Sequence, residues 1–137
     1  MSQRYMLDTN VVSHIMQGRD SGLLARLTAL PVGQVVMSSI TLAELEYGLH
    51  RKGQPPRLRN AMTQVLLRMD VLPWDEAVAT CYGEFCAGLE TQGINLSDFD
   101  MMIAAHAVTV DATLVSRDKA FAQVPSRSTH RLRLEVW

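Results

Sequence analysis

The sequence has almost no net charge. Its 13 basic and 14 acidic residues leave a formal net charge of −1. That balance argues against a protein that coats nucleic acid through bulk positive charge, although it is compatible with a local basic patch. We expect residues 1–137 to form a single domain, because a chain of 137 residues can bury a core without disulfide or metal support.

Cysteine is also scarce. Cys81 and Cys86 are five residues apart in one predicted helix, on different faces, so we expect no disulfide between them. Their spacing fits neither zinc ligation nor a redox pair, and we expect two small buried hydrophobic side chains. The N-terminus has no signal-peptide core, and no apolar run approaches the length of a membrane span. We therefore expect a cytoplasmic protein without a membrane partner.

Short apolar segments alternate with helical patterns along the rest of the chain. The predicted strands are Tyr5–Leu7, Gln34–Ser39, Asp70–Trp74, Ala112–Ser116 and Arg131–Val136. The predicted helices are Thr9–Met16, Ser21–Leu30, Ile40–His50, Arg57–Arg68, Glu76–Thr91 and Ser97–Val110. The early strands are continuous apolar runs, which indicates an α/β fold with a mostly parallel sheet covered by helices on both faces. The last strand alternates in polarity, which suits an edge position.

Four acids fall where such a sheet collects functional groups, at the carboxyl ends of its strands. Asp8 ends the first strand, and Glu44 lies in the early turns of the helix that follows the second. Asp100 lies at the start of an alanine-rich helix, and Asp118 comes just after the fourth strand. We therefore expect all four carboxylates to face one edge of the sheet.

Each acid also has a purely structural explanation when it is considered alone. The first acid could cap a helix, and the fourth could be a turn residue. Thr41-x-x-Glu44 and Ser97-x-x-Asp100 both match the spacing of a capping box, in which an acid satisfies backbone N–H groups. The functional interpretation depends on the recurrence of acids at equivalent strand and helix ends.

Carboxylates brought close together must either take up protons or bind a cation. Their oxygens are the hard ligands that Mg²⁺ and Mn²⁺ prefer. A metal held in this way can activate a water and stabilise the charge on a reacting phosphate. No nucleophilic serine or cysteine is evident, so the acids indicate metal-assisted hydrolysis of phosphodiester bonds.

Five short motifs also occur in a characteristic order and spacing. They are MLDTN (6–10), SSITLAELEYG (38–48), DMMIAAHA (100–107), LVSRDKAF (114–121) and LRLEVW (132–137). Over essentially the whole chain they resemble the PIN-domain ribonucleases, and most closely the VapC toxins of bacterial toxin–antitoxin pairs. The resemblance implies a three-layer α/β/α fold around a parallel sheet, and often a homodimer.

The resemblance also implies an activity and partners. PIN-domain ribonucleases use acids to bind Mg²⁺ or Mn²⁺ and cut single-stranded or loop RNA, in many VapC toxins transfer RNA, leaving a 5′-phosphate and a 3′-hydroxyl. The family's acids match Asp8, Glu44, Asp100 and Asp118, which are thereby implied as catalytic residues and metal ligands. A VapB-type antitoxin is expected to place an arginine or lysine among these carboxylates, and promoter DNA is expected to bind through the antitoxin alone.

Supporting residues follow from the same motifs. Thr9 and Ser116 match the family's hydroxyl residues beside the first and fourth acids, and we expect Thr9 and Asn10 to orient Asp8 and cap the next helix. An added acid, Asp98, is either a first-turn residue that suits the helix dipole or an outer partner of the metal site. Arg117 either contacts substrate phosphate or is solvated.

A basic turn follows the glutamate-bearing helix, with the cations Arg51, Lys52, Arg57 and Arg59. It is either a solvated loop or a small RNA-contact patch, in which Arg51 and Lys52 would bind substrate. Gly48, inside the helix, suggests close helix packing at a dimer interface, because glycine there costs about 1 kcal/mol relative to alanine. We expect His106 to make a structural hydrogen bond.

A second function of another class fits the same resemblance. A PIN-fold protein can act mainly in a DNA-binding autoregulatory complex with its antitoxin, with little nuclease activity of its own. The complete set of four acids favours the enzyme. Among enzymes, one that acts on DNA or ribosomal RNA is a further alternative to one that cuts transfer RNA.

Overall fold

The computed structural model describes residues 3–124 and 131–137. Its strands are β1 (Tyr5–Leu7), β2 (Val35–Ser38), β3 (Asp70–Leu72), β4 (Thr113–Val115) and β5 (Leu134–Glu135). Its helices are α1 (Thr9–Gln17), α2 (Ser21–Ala29), α3 (Ser39–Arg51), α4 (Pro56–Leu66), α5 (Glu76–Thr91) and α6 (Asp98–Thr109), with a 3₁₀ helix at Lys119–Gln123.

The strands form one sheet in the order β3-β2-β1-β4-β5, and every neighbouring pair is parallel. In the central register, Met6 of β1 lies opposite Val36 of β2 and Leu114 of β4. The predicted parallel sheet and the edge position of the last strand are therefore confirmed. Because β1, β2 and β4 are adjacent and run the same way, their carboxyl ends meet at one edge of the sheet.

Side chains alternate between the two faces of the sheet and build a separate core on each. On one face, Met6, Val36 and Leu114 pack with residues of α5 and α6. On the other face, Leu7 and Val115 pack with residues of α1 to α4. The molecule is thus the three-layer α/β/α sandwich that the sequence predicts, because helices cover both faces of the sheet and the central strands β1, β2 and β4 are largely buried.

Two helix starts decide between the proposed caps. Capping by Asp8, the structural explanation of this acid, is confirmed and capping of α1 by Thr9 or Asn10 is wrong, since Asp8 Oδ1 accepts from the Val11 N–H at 2.9 Å. α3 begins at Ser39 and is capped by Ser38, so Thr41-x-x-Glu44 is not a capping box. An N-cap side chain must accept from a backbone N–H two or three residues further along the chain. Asp8 and Ser38 can do so because each lies at the end of a strand and directly precedes its helix.

Other boundaries shift by a few residues. The predicted last strand, 131–136, narrows to β5, and the third ends at Leu72 rather than Trp74. The capping serine before α6 is confirmed, because the Asp100 N–H donates to Ser97 Oγ at 3.2 Å. Cys81 and Cys86 are both free thiols, as expected, but only Cys86 is buried and Cys81 is partly exposed. Within the described residues, no helix combines the length and apolar character needed to cross a bilayer.

Candidate active site

Asp8 is the most enclosed acid at the carboxyl edge of the sheet. It directly follows β1, and its backbone N–H donates to the Val115 carbonyl of β4 at 3.0 Å. Its side chain is only 4% exposed and accepts hydrogen bonds from the Val11 N–H and from the Ser116 hydroxyl. A buried strand end with three such contacts fixes the carboxylate rigidly, as a metal ligand requires.

Glu44 reaches the same edge from α3. The helix begins where β2 ends, which places Glu44 in its second turn and half-buried. The Thr9 hydroxyl donates to Glu44 Oε1 at 2.6 Å and lies 3.3 Å from the Thr41 hydroxyl. The predicted supporting threonine therefore orients Glu44 rather than Asp8.

Asp100 and Asp118 complete the set. Asp100 lies in the first turn of α6, half-buried, and Asp118 follows β4 and caps the 3₁₀ helix through the Ala120 N–H at 2.9 Å. The Asp118 N–H donates to Ser116 Oγ at 3.0 Å. Because the Ser116 hydroxyl also donates to Asp8, this serine links the first and fourth acids.

Burial and like charge together disfavour ionisation at this edge. Burial is the largest influence, and it raises the pKa of Asp8, Glu44 and Asp100 above their ordinary values. The charge of Asp118 raises the pKa of Asp8 and Asp100, and that of Asp100 raises the pKa of Asp8 and Glu44. Hydrogen bonds from neighbouring hydroxyls act in the opposite direction. The four acids thus form one electrostatically coupled group.

The donor set suits a hard divalent cation. All four side chains offer carboxylate oxygens, and the charged groups that act on the three raised pKa values are themselves acids. In the described part of the chain, no three His, Cys, Asp or Glu side chains converge into a preformed ligand set. The four acids therefore fit a divalent cation by ligand type and negative charge rather than by a preformed geometry. Binding a cation would draw the carboxylates together.

Two of the predicted supporting residues have other partners. The Arg117 guanidinium lies 2.7 Å from Asp20 Oδ2, and its Nε donates to the Trp137 carbonyl at 2.8 Å. These contacts tie the C-terminus to α2 and favour a structural role, although substrate contact by Arg117 stays a prediction. Asp98 is exposed in the first turn of α6, and its charge acts on Tyr82 and Cys86 of α5.

The cations of the basic turn differ in whether another group of the protein already binds them. Arg59 forms a bidentate pair with Glu46, and Arg57 donates to the Gln17 carbonyl. Arg51 lies over the ring of Tyr47, 5.9 Å from its centroid. Lys52 lines a cavity that Glu44, Thr9 and Asn10 also line. Of the two predicted substrate-binding cations, Lys52 is therefore the one that shares a cavity with an acid of the site.

Sequence reasoning missed the buried contact that connects two acid-bearing helices. His106 of α6 and Ser38, the cap of α3, are fully buried, and His106 Nδ1 lies 2.7 Å from Ser38 Oγ. Burial lowers the pKa of His106, which favours the neutral ring. The expected structural hydrogen bond is confirmed, but its partner, 68 residues away in sequence, gave no local signal beyond a serine at a strand end.

Comparison with known proteins agrees with this fold. Residues 5–126 match the PIN domain family. A ribonuclease VapC2 from Haemophilus influenzae is 34% identical over 135 residues, covering 98% of both chains. A tRNA(fMet)-specific endonuclease VapC from Shigella flexneri is 33% identical with the same coverage.

The solved structures give the same assignment. The VapBC2 complex of Rickettsia felis, bound to a fragment of promoter DNA, contains a chain that superposes with a TM-score of 0.87 at 28% identity, covering 98% of this chain and 99% of that one. The DNA-bound VapBC complex of Salmonella typhimurium gives the same TM-score and identity. The fold and the acid edge thus define a PIN domain. Within that family, the chain belongs to the VapC ribonucleases.

Proposed function

We propose that this protein is a Mg²⁺- or Mn²⁺-dependent endoribonuclease, the toxin of a toxin–antitoxin pair. One observation carries the proposal: four carboxylates from separate elements lie at one sheet edge, where burial and the charges of neighbouring acids raise the pKa values of Asp8, Glu44 and Asp100. Such a group gains most from a bound cation. The substrate we propose is transfer RNA, and the name of the Shigella flexneri relative supports this choice.

The chain's own residues hold and orient the reacting groups. Asp8, Glu44, Asp100 and Asp118 would hold the metal, directly or through water. Thr9 fixes the position of Glu44, and Ser116 fixes Asp8 relative to Asp118. When bound, Mg²⁺ supplies activation of a water and neutralisation of the charge that develops on the phosphate.

An apolar groove supports the antitoxin part of the proposal. It has a volume of about 490 Å³ and lies between α1, α2 and α4, away from the acids. Leu24, Val32 and Leu67 line it and are 50%, 66% and 68% exposed. We propose that an antitoxin helix covers these side chains, because exposed apolar grooves mark protein contacts and the similar Rickettsia felis chain was solved in a VapBC complex. A basic antitoxin residue would then neutralise the acids.

A second candidate function is part of a DNA-bound regulatory complex. It is favoured by the two similar complexes that were solved with DNA. A net charge of −1 gives this chain little attraction for DNA by itself. We therefore propose that promoter DNA is bound by the antitoxin, with this chain as its partner.

The substrate test is cleavage of total cellular RNA by antitoxin-free protein, with sequencing of the fragment ends. We expect discrete transfer RNA fragments with 5′-phosphate and 3′-hydroxyl ends, and their suppression when the antitoxin is added. If all fragments came from ribosomal RNA, the proposal of transfer RNA as the substrate would be wrong. Complete inactivity of folded protein with either metal would favour the DNA-bound complex as the main role.

A further inference from the structure

A second, smaller cavity opens beside the acid site, between α1 and α3. Its volume is about 140 Å³, and Thr9 and Glu44 belong both to its lining and to the acid site. Leucine and methionine side chains form part of the wall, and the remainder is small or polar: Asn10, Ser13, Gln17, Gly48 and Lys52. We refer to it as the Gly48 cavity. Its polar lining distinguishes it from the apolar groove.

Gly48 keeps this cavity open. It lies in the interior of α3 with an ordinary helical backbone, where glycine weakens a helix relative to alanine. Apart from its chain neighbours and the backbone of its own helix, no atom of the described residues lies within 4 Å of the position that a Cβ would take. Within the described chain Gly48 therefore has no close packing partner, and the predicted packing at a dimer interface stays a prediction. Because Gly48 lines the cavity and has open space at its Cβ position, we expect a longer side chain here to fill the cavity.

The polar groups of the cavity match those of a nucleotide. The amides of Asn10 and Gln17 each offer both donors and acceptors, as the edge of a base requires. Lys52 is the one cation among the described lining residues, and its charge would attract a phosphate group. The volume is below the roughly 300 Å³ at which pockets for drug-sized ligands begin, so the cavity suits a single base.

We propose that the Gly48 cavity binds the base of a nucleotide adjoining the phosphate that is cut. This inference rests on the proposed ribonuclease function and adds a determinant of substrate choice to it. Because Thr9 and Glu44 are shared, a base seated here brings its neighbouring phosphate to the acids. Unpaired RNA loops offer such bases, since their edges are free for hydrogen bonds.

The test compares two substitutions of the same kind. Gly48→Gln fills the cavity, and Gly83→Gln is the matched control. Gly83 is also an interior helical glycine with no atom within 4 Å of its would-be Cβ, but it lies in α5, on the exposed side. Both changes replace a helical glycine, so both proteins should melt at or above the wild-type temperature. The readout is kcat and KM for total transfer RNA with Mg²⁺, using antitoxin-free protein.

We expect Gly48→Gln to raise KM about tenfold or more while kcat stays within about twofold, the pattern that follows from lost binding rather than lost chemistry. Gly83→Gln should keep the wild-type KM. Lys52→Gln, an exposed change that does not threaten folding, should raise KM and reduce the dependence of KM on salt. A wild-type KM for Gly48→Gln would overturn the inference.

Two other occupants give different results. If Gly48→Gln cuts RNA with the wild-type KM but escapes inhibition, the cavity belongs to the antitoxin and the inference is wrong. If it cuts with the wild-type KM but changes the oligomeric state in light scattering, the cavity belongs to a second copy, which also overturns the inference. If wild type and both glycine variants are equally inactive, the ribonuclease function itself fails and the inference fails with it.

Discussion

At the residue scale, Asp8 combines a structural and a chemical role. Its Oδ1 accepts the Val11 N–H and so caps α1, while the same carboxylate lies in the coupled acid group. The structural and functional explanations of an acid at this strand end are therefore both correct. Substitutions that separate charge from hydrogen-bonding capacity can distinguish the two roles.

We expect Asp8→Asn to keep the cap and remove the charge, because an asparagine oxygen is an equally good N-cap acceptor. At neutral pH its stability should equal or exceed that of wild type, because the raised pKa of Asp8 means that its ionisation costs stability, while RNA cleavage is lost. Asp8→Ala should lose cleavage and should be about 1 kcal/mol less stable than Asp8→Asn through the missing cap. Urea unfolding beside a cleavage assay measures both. Equal stability of the two variants would contradict the capping role.

At the scale of elements, α3 and α6 hold two of the acids and are joined by the buried His106–Ser38 contact. Ser38 also caps α3 through the Ile40 N–H, so one hydroxyl connects the start of the glutamate-bearing helix to α6. We therefore expect the spacing between Glu44 and Asp100 to depend on His106, as a positioning residue.

We expect His106→Ala to lower the free energy of unfolding by about 2–4 kcal/mol, because it leaves a cavity and removes one of the two hydrogen-bond partners of the buried Ser38 hydroxyl. At a temperature where the variant is folded, kcat should fall more than KM rises. His106→Asn, which keeps a polar atom near Ser38, should recover part of kcat. His14→Ala, at an exposed histidine of α1, serves as the control. A wild-type kcat in folded His106→Ala would contradict the positioning role.

Much of the arrangement of strands and helices was predictable from the sequence. The continuous apolar strands indicated a parallel sheet, and acids at strand and helix ends then fell at one edge of it. The sequence left the cap of α1 open between Asp8, Thr9 and Asn10, and it suggested Thr41 rather than Ser38 at the start of α3, because several neighbouring polar side chains can cap a helix and only the end of the preceding strand decides between them. The His106–Ser38 contact and the Gly48 cavity depend on how distant segments pack, which no local pattern encodes.

At the scale of the whole molecule, the acid group links stability to pH. The pKa values of Asp8, Glu44 and Asp100 are raised in the folded state, chiefly by burial. Their protonation therefore stabilises the fold fully below the ordinary carboxyl pKa of about 4, and this contribution is lost as the pH rises through the raised values. Binding of a metal ion to the ionised carboxylates should offset this loss of stability.

We therefore expect the metal-free protein to lose stability as the pH rises above about 4, and Asp100→Asn to weaken that loss. Asp98→Asn, in the same turn of α6, is the matched control and should leave the pH dependence in place. Adding Mg²⁺ at a hundred times its dissociation constant should stabilise wild type by about 2.7 kcal/mol at neutral pH. Thermal melts across pH measure all three effects. Melting temperatures indifferent to Mg²⁺ would contradict cation binding at this edge.

The apolar groove gives a prediction about assembly. Val32 lines the groove and is 66% exposed, and Val136, outside it, is 67% exposed. We expect Val32→Glu to weaken antitoxin binding at least about tenfold, because a charge would be buried in the apolar contact. Val136→Glu should bind normally, and both variants should cut RNA at the wild-type rate when free of antitoxin. Equal antitoxin affinities in titration calorimetry would place the antitoxin elsewhere.

The central claim is that the four acids form a metal-dependent site for RNA cleavage. Its most direct test is the rate of transfer RNA cleavage against Mg²⁺ concentration, for wild type and Asp8→Asn. We expect no cleavage in EDTA, a saturating rise with Mg²⁺ for wild type, and a loss of about a hundredfold or more in the variant, since changing residues that merely orient a metal ligand already costs about 10- to 100-fold. Wild-type cleavage that persists in EDTA, or an Asp8→Asn protein as fast as wild type, would contradict the claim.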